Sequence, residues 1–230
     1  RKPDKWWNRM DYGPFVSSAV GIGSRGKHAA LKGITVALDR EDRGSMTFDT
    51  DLLRMVGGWE GSLTFTGTTY DGRHGGHPYI EGTPTFHTRA LPGWSDPSGA
   101  LGDTRPIPHG PVPDEHGRYR GLYRHGDRVV LEYEVGGARI REMPERIGRT
   151  LIRNLDVDTA RNDRLMVVAD AGKGEAVEIL DGGRAAVIRP QVARARAGKK
   201  GPVQVTVDRT EAAWGALATG APAKDDALAS

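Results

Sequence analysis

The chain contains no cysteine among its 230 residues. That excludes disulfides, thiolate metal centres, a cysteine nucleophile and a covalently attached haem within this sequence. It does not by itself fix the redox compartment. No apolar run is long enough to cross a bilayer as a helix, so no membrane span is expected. An excess of one charge is missing too: 33 basic side chains face 30 acidic ones, leaving +3. The dense basic run Arg194-Ala-Arg196-Ala-Gly-Lys199-Lys200 has no interleaved aromatic. It reads as a solvated loop, and no nucleic-acid partner is expected. No stretch of about ten residues keeps a clean helical period. A Gly-x-Ser-x-Gly elbow and a Ser-His-Asp set are also missing.

What is present is β-patterning. Val129, Leu131, Tyr133 and Val135 alternate with Val130, Glu132 and Glu134. Gly136-Gly137 supplies a two-residue turn, and Ala138-Arg139-Ile140-Arg141 continues the alternation, which predicts a hairpin. Pro144 is expected to end it, because proline cannot donate to a ladder. Further strands are expected at Ile34–Leu38, Ser45–Phe48, Leu52–Val56, Ser62–Phe65, Thr150–Val157, Arg164–Ala169, Ala176–Leu180, Ala185–Arg189 and Val203–Val207. Short strands with glycine-rich turns predict an all-β fold, a two-sheet antiparallel sandwich in one domain over residues 1–209. A long irregular insertion rich in Pro, Gly and His is expected at about residues 84–121. Residues 210–230 read as a flexible tail or linker, after which another domain is expected. The start at Arg1-Lys2-Pro3, without Met, fits a mature form or an excised piece whose export signal is gone.

The chemistry-bearing residues gather in one region. Six of the seven histidines (His74, His77, His87, His109, His116 and His125) lie there. The densest stretch is Asp71-Gly72-Arg73-His74-Gly75-Gly76-His77-Pro78, a glycine-rich loop carrying two imidazoles, a guanidinium and a carboxylate. Asp71, His74 and His77 could share a metal with His87 completing the shell, or could shape the loop and contact a polar ligand. The second reading is adopted, and no metal or cofactor is assigned. Asp49-Thr50-Asp51 reads as a turn in which each Asp bonds nearby N–H groups, with calcium or acid–base chemistry as the alternatives. Gly21-Ile22-Gly23-Ser24-Arg25-Gly26 matches a dinucleotide-loop pattern, but too few residues follow for its helix, so it reads as a plain loop. Trp59, Tyr70, Tyr79 and Trp94 flank the histidines and could offer ring faces to a sugar or pack in the core. Trp6-Trp7 is expected to pin the N-terminal segment onto the domain. His125-Gly126-Asp127 is a natural turn leading into the predicted hairpin.

Several segments taken together carry a resemblance. They are Met10-Asp11-Tyr12-Gly13-Pro14-Phe15, Lys32-Gly33-Ile34, Phe48-Asp49-Thr50-Asp51-Leu52, Gly58-Trp59, the Asp71–Pro78 loop, and the run from Tyr119 to Leu131. In order and spacing the chain resembles an uncharacterised bacterial domain in the N-terminal part of large exported planctomycete and verrucomicrobial proteins that carry c-type haem. The resemblance implies a periplasmic or extracellular setting and a haem domain elsewhere in the same polypeptide. It carries over no catalytic residue.

The expected function is a non-catalytic accessory module that binds glycan or docks a redox domain. Asp71, Arg73, His74 and His77 would form the contact surface, and Trp59 would stack on a sugar face. The alternative is a carbohydrate-active hydrolase, lyase or isomerase with His74 or His77 as general base and Asp49 or Asp51 as acid.

Overall fold

The computed structural model describes residues 6–23, 28–39, 44–67, 77–81, 84–148, 150–157 and 164–169, and the backbone of 175–180, 185–190 and 203–209. Among the described residues a short 3-10 turn at Trp6–Arg9 precedes thirteen strands. These are β1 (Phe15–Ile22), β2 (His28–Ala37), β3 (Ser45–Asp49), β4 (Arg54–Trp59), β5 (Tyr79–Ile80), β6 (Phe86–His87) and β7 (Gly117–His125). They continue with β8 (Arg128–Val135), β9 (Ala138–Ile147), β10 (Thr150–Val157), β11 (Glu175–Leu180), β12 (Ala185–Pro190) and β13 (Val203–Arg209). One sheet runs β5-β1-β2-β3-β4-β6 and the other β11-β12-β13-β10-β9-β8-β7.

The chain is thus an all-β protein of two sheets that pack as a sandwich. The pairing is mostly antiparallel, as expected, with β1–β5 and β10–β13 running parallel. The predicted hairpin is present. Gly136 and Gly137 have φ of 57° and 83°, as a two-residue primed turn requires at both central positions. Pro144 does not end β9. It pairs with Arg153 on the β10 side, while the β8–β9 register stops at Leu131↔Glu142. Its missing donor therefore falls where one neighbour has already left the ladder. Ser62–Phe65 and Arg164–Ala169 are not strands. They make isolated bridges, such as Thr64 with Tyr79 and Met166 with Trp94. The strand expected at Leu52 begins at Arg54, because residues 51–53 are spent on a turn. Gly21 sits inside β1 opposite His28 of antiparallel β2, and residues 24–26 of the glycine pattern lie outside the described residues.

The main core lies between the sheets. Met46, Phe48 and Met55 from one sheet meet Leu131, Tyr133, Ile140, Leu151 and Leu155 from the other. The Phe48 and Tyr133 rings are 5.0 Å apart. The stretch expected as an irregular insertion is irregular over most of residues 84–116, yet it is built into this core through Phe86, Trp94 and Val112. It ends where β7 begins, at Gly117. Gly58 lets the layers close, since a Cβ there would stand 2.6 Å from the Phe86 ring and 2.7 Å from Leu151. A second cluster of Val20, Trp59, Leu63, Phe65 and Ile80 packs with Trp7, Tyr12, Val16 and Ile22. There the indole N–H of Trp7 donates to the Phe65 carbonyl at 3.1 Å, pinning the N-terminal segment as expected. The predicted tail at 210–230 lies outside the described residues.

Candidate functional site

The β3–β4 connection is a tight turn stabilised by its own side chains. Asp49 Oδ1 accepts the backbone N–H groups of Asp51 (3.1 Å) and Leu52 (3.4 Å). Its Oδ2 stands 3.4 Å from Arg54 Nη2. This is the turn expected from the sequence, with Asp bonding local donors. Burial pushes the Asp49 carboxyl above its ordinary value, against the pull of Arg54 and of the two N–H groups. Leu53 is held at φ 50°, where side-chain-bearing residues are strained. Its packing holds it there: Cβ atoms on Gly93 or Gly117 would come within 2.4 Å of the Leu53 carbonyl or 2.7 Å of its Cδ1.

Arg54 is 2% exposed and ties separate segments together. Its Nη1 donates to the Thr88 carbonyl and hydroxyl, both at 3.0 Å, and its Nη2 donates to the Ala29 carbonyl. Beside it Asp51 pairs with the exposed Lys32 at 3.2 Å. The Asp51 carbonyl accepts the Val112 N–H at 2.8 Å, which fastens the long loop to this turn.

Between the turn, the start of β2 and that loop lies a cavity of about 270 Å³. Asp49, Asp51 and Arg54 supply its polar wall, and Leu31, Leu52 and Pro108 its apolar wall. The Pro108–Gly110 side is fixed by Arg105. That guanidinium clamps Asp103 through two bonds of 2.8 and 2.6 Å, and its Nη1 donates to the Gly110 and Pro111 carbonyls at 2.9 and 2.8 Å. Its bond to Arg105 holds the Asp103 carboxyl below its ordinary value. The result is a preformed pocket with charged groups on one side and aliphatic groups on the other, the composition of a small-molecule site.

The residues singled out from the sequence fare differently. Asp71, Arg73, His74 and Tyr70 lie outside the described residues. His77 is exposed just before β5. Trp59 is only 2% exposed and its indole N–H donates to the Ser62 carbonyl at 3.2 Å. It is a core residue with no ring face at the surface, because β4 lies inside its sheet and Leu63, Phe65 and Ile80 cover it. Trp94 is likewise interior. His77 lies just before β5, which pairs with β1, and His87 ends β6, which pairs with β4. No group of three or more possible metal-binding side chains occurs among the described residues. Sequence reasoning missed Arg54 and Arg105. Neither lies in a motif, and their partners are mostly backbone carbonyls, which pattern does not reveal.

Fold and site together define an all-β sandwich with a preformed pocket at the β3–β4 turn. Residues 46–142 match the model of a domain of unknown function, DUF6797, a stretch that spans β3 to β9 and contains both the Asp49–Arg54 turn and the Pro108–Gly110 wall. No curated protein and no solved structure matches the chain.

Proposed function

We propose that this protein is a non-catalytic binding module that takes one ring of a glycan into the pocket beside the β3–β4 turn. We place it in an exported multidomain protein, periplasmic or extracellular, as the resemblance to haem-carrying exported proteins implies. The observation that carries the reading is the two-sided lining of the pocket. The Asp51 carboxylate accepts from hydroxyls, while Leu31, Leu52 and Pro108 cover an apolar ring edge. The non-catalytic part rests on how the polar groups are spent. Asp49 uses one oxygen on two N–H groups and the other on Arg54, leaving no proton donor poised for cleavage.

The test is a panel of neutral and acidic oligosaccharides measured by calorimetry with wild-type protein and Asp51→Asn. Binding of at least one glycan, weakened about tenfold or more by Asp51→Asn and without release of reducing ends, supports the reading. Turnover of a bound glycan would move the protein to the enzyme class. No binding across the panel would refute the proposal.

A further inference from the structure

The second sheet carries a charge pattern that is incomplete at its edge. On its outward face Asp156 of β10 lies beside Arg141 of β9, which lies beside Glu132 of β8. One row along, Arg139 of β9 lies beside Glu134 of β8, which lies beside Arg118 of β7. The sign thus alternates strand by strand: acidic, basic, acidic, basic. Ion pairs follow the pattern, with Arg141 held by Glu132 at 3.1 Å and by Asp156 at 3.3 Å. Glu134 holds Arg118 at 3.2 Å and Arg120 at 2.6 Å. Arg141 has a carboxylate on both flanks, whereas among the described residues Arg118 and Arg120 have one only, from the β8 side.

β7 is the last strand of that sheet among the described residues. It runs nine residues, Gly-Arg-Tyr-Arg-Gly-Leu-Tyr-Arg-His, with three arginines and no acid. The carboxylates sit low and the guanidinia stand clear: Glu134 is 22% exposed, Arg118 47% and Arg120 38%. Tyr123 is exposed on the same strand. A bulge at Arg120 breaks the register between Tyr119 and Gly121, and on either side of it the edge offers backbone donors and acceptors to an added strand. A second copy of this chain would not complete the pattern, because its β7 brings no carboxylate to these arginines.

We infer that the β7 edge docks an extended acidic polypeptide segment by strand addition. Carboxylates at alternate positions of that segment complete the sign alternation by pairing with Arg118 and Arg120, and its backbone continues the ladder. The carboxylate–guanidinium pairs select the partner, and the main-chain bonds hold it.

The probe is a synthetic peptide of about eight residues alternating Glu and Val, with three comparators: the Lys–Val analogue, the Glu–Val peptide N-methylated on alternate amides, and polygalacturonate. Binding is read by fluorescence anisotropy on the full chain. The expected result is binding of the Glu–Val peptide alone, weakened at least tenfold by the double change Arg118→Glu and Arg120→Glu. Thermal unfolding checks that the variant is folded. Amide exchange on wild-type protein supplies a reading independent of any variant: β7 amides should slow when the Glu–Val peptide binds. Absence of binding, equal binding of the N-methylated peptide, equal binding of polygalacturonate, or unchanged β7 exchange would each overturn the inference. The polygalacturonate outcome would identify a general polyanion surface instead.

Discussion

Replacing Glu142 by leucine should destabilise the protein far more than an average core substitution. Glu142 is fully buried, and so is Arg153 at 1% exposure. Arg153 Nε donates to Glu142 Oε1 at 2.6 Å, and the Tyr133 hydroxyl donates to Oε2 at 2.8 Å. Without Glu142 the guanidinium keeps only the Val168 carbonyl at 3.2 Å and the Met166 sulfur at 3.7 Å. A guanidinium cannot shed its proton to escape, so its charge stays buried without a counterion. Breaking such a pair from one side costs about 3–5 kcal/mol. Arg153→Met should cost less, since the remaining carboxyl can take up a proton and become neutral. The double variant Glu142→Leu with Arg153→Met should recover much of the loss, because no charge is then left in the core. Urea unfolding followed by tryptophan fluorescence gives the three values. A loss below about 1 kcal/mol for Glu142→Leu, or a double variant as costly as the two singles added, would refute the reasoning.

His116 should make stability depend on mild acid. Burial, helped by the Arg164 charge, holds its imidazole below the ordinary 6.5, so the unfolded chain takes up the proton first and stability falls as pH drops through 6.5. Melting at about pH 7.5 and about pH 5 should differ less in His116→Gln than in wild type, and an unchanged difference would exclude His116 as the source. Asp103 acts at lower pH. Its depressed carboxyl contributes stability above 3.8 that disappears as pH falls through its folded value, and Asp103→Asn should flatten the acid limb of a pH–melting curve. Gly57→Ala would push a Cβ to 2.7 Å from the Phe86 carbonyl oxygen, and a backbone atom cannot swing aside, so a loss of about 1–3 kcal/mol in urea unfolding is expected.

Local pattern carried much of the architecture. The alternation through Val129, Leu131, Tyr133 and Val135 and the Gly136-Gly137 turn determine a hairpin, because side-chain period and turn chemistry are properties of neighbouring residues. The Asp49–Leu52 turn was legible for the same reason: donor and acceptor lie two or three residues apart. The absence of cysteine and of any bilayer-length apolar run excluded whole classes of chemistry without a fold. What pattern could not decide was anything that depends on distant segments meeting. It grouped His77 with Asp49 and His87 in function, but it could not reveal that β5, after His77, pairs with β1 while β6, with His87, pairs with β4. It offered Trp59 to a sugar, but Leu63, Phe65 and Ile80 close over it. It stopped β9 at Pro144, but the end of the β8 ladder makes a proline harmless there. The pocket itself depends on Arg54 reaching Thr88 and Ala29, and on Arg105 holding the Gly110 and Pro111 carbonyls. Strand periodicity is set within a few residues. Strand order and long-range charge pairing are set by which surfaces bury together, and only the folded chain brings those surfaces into contact.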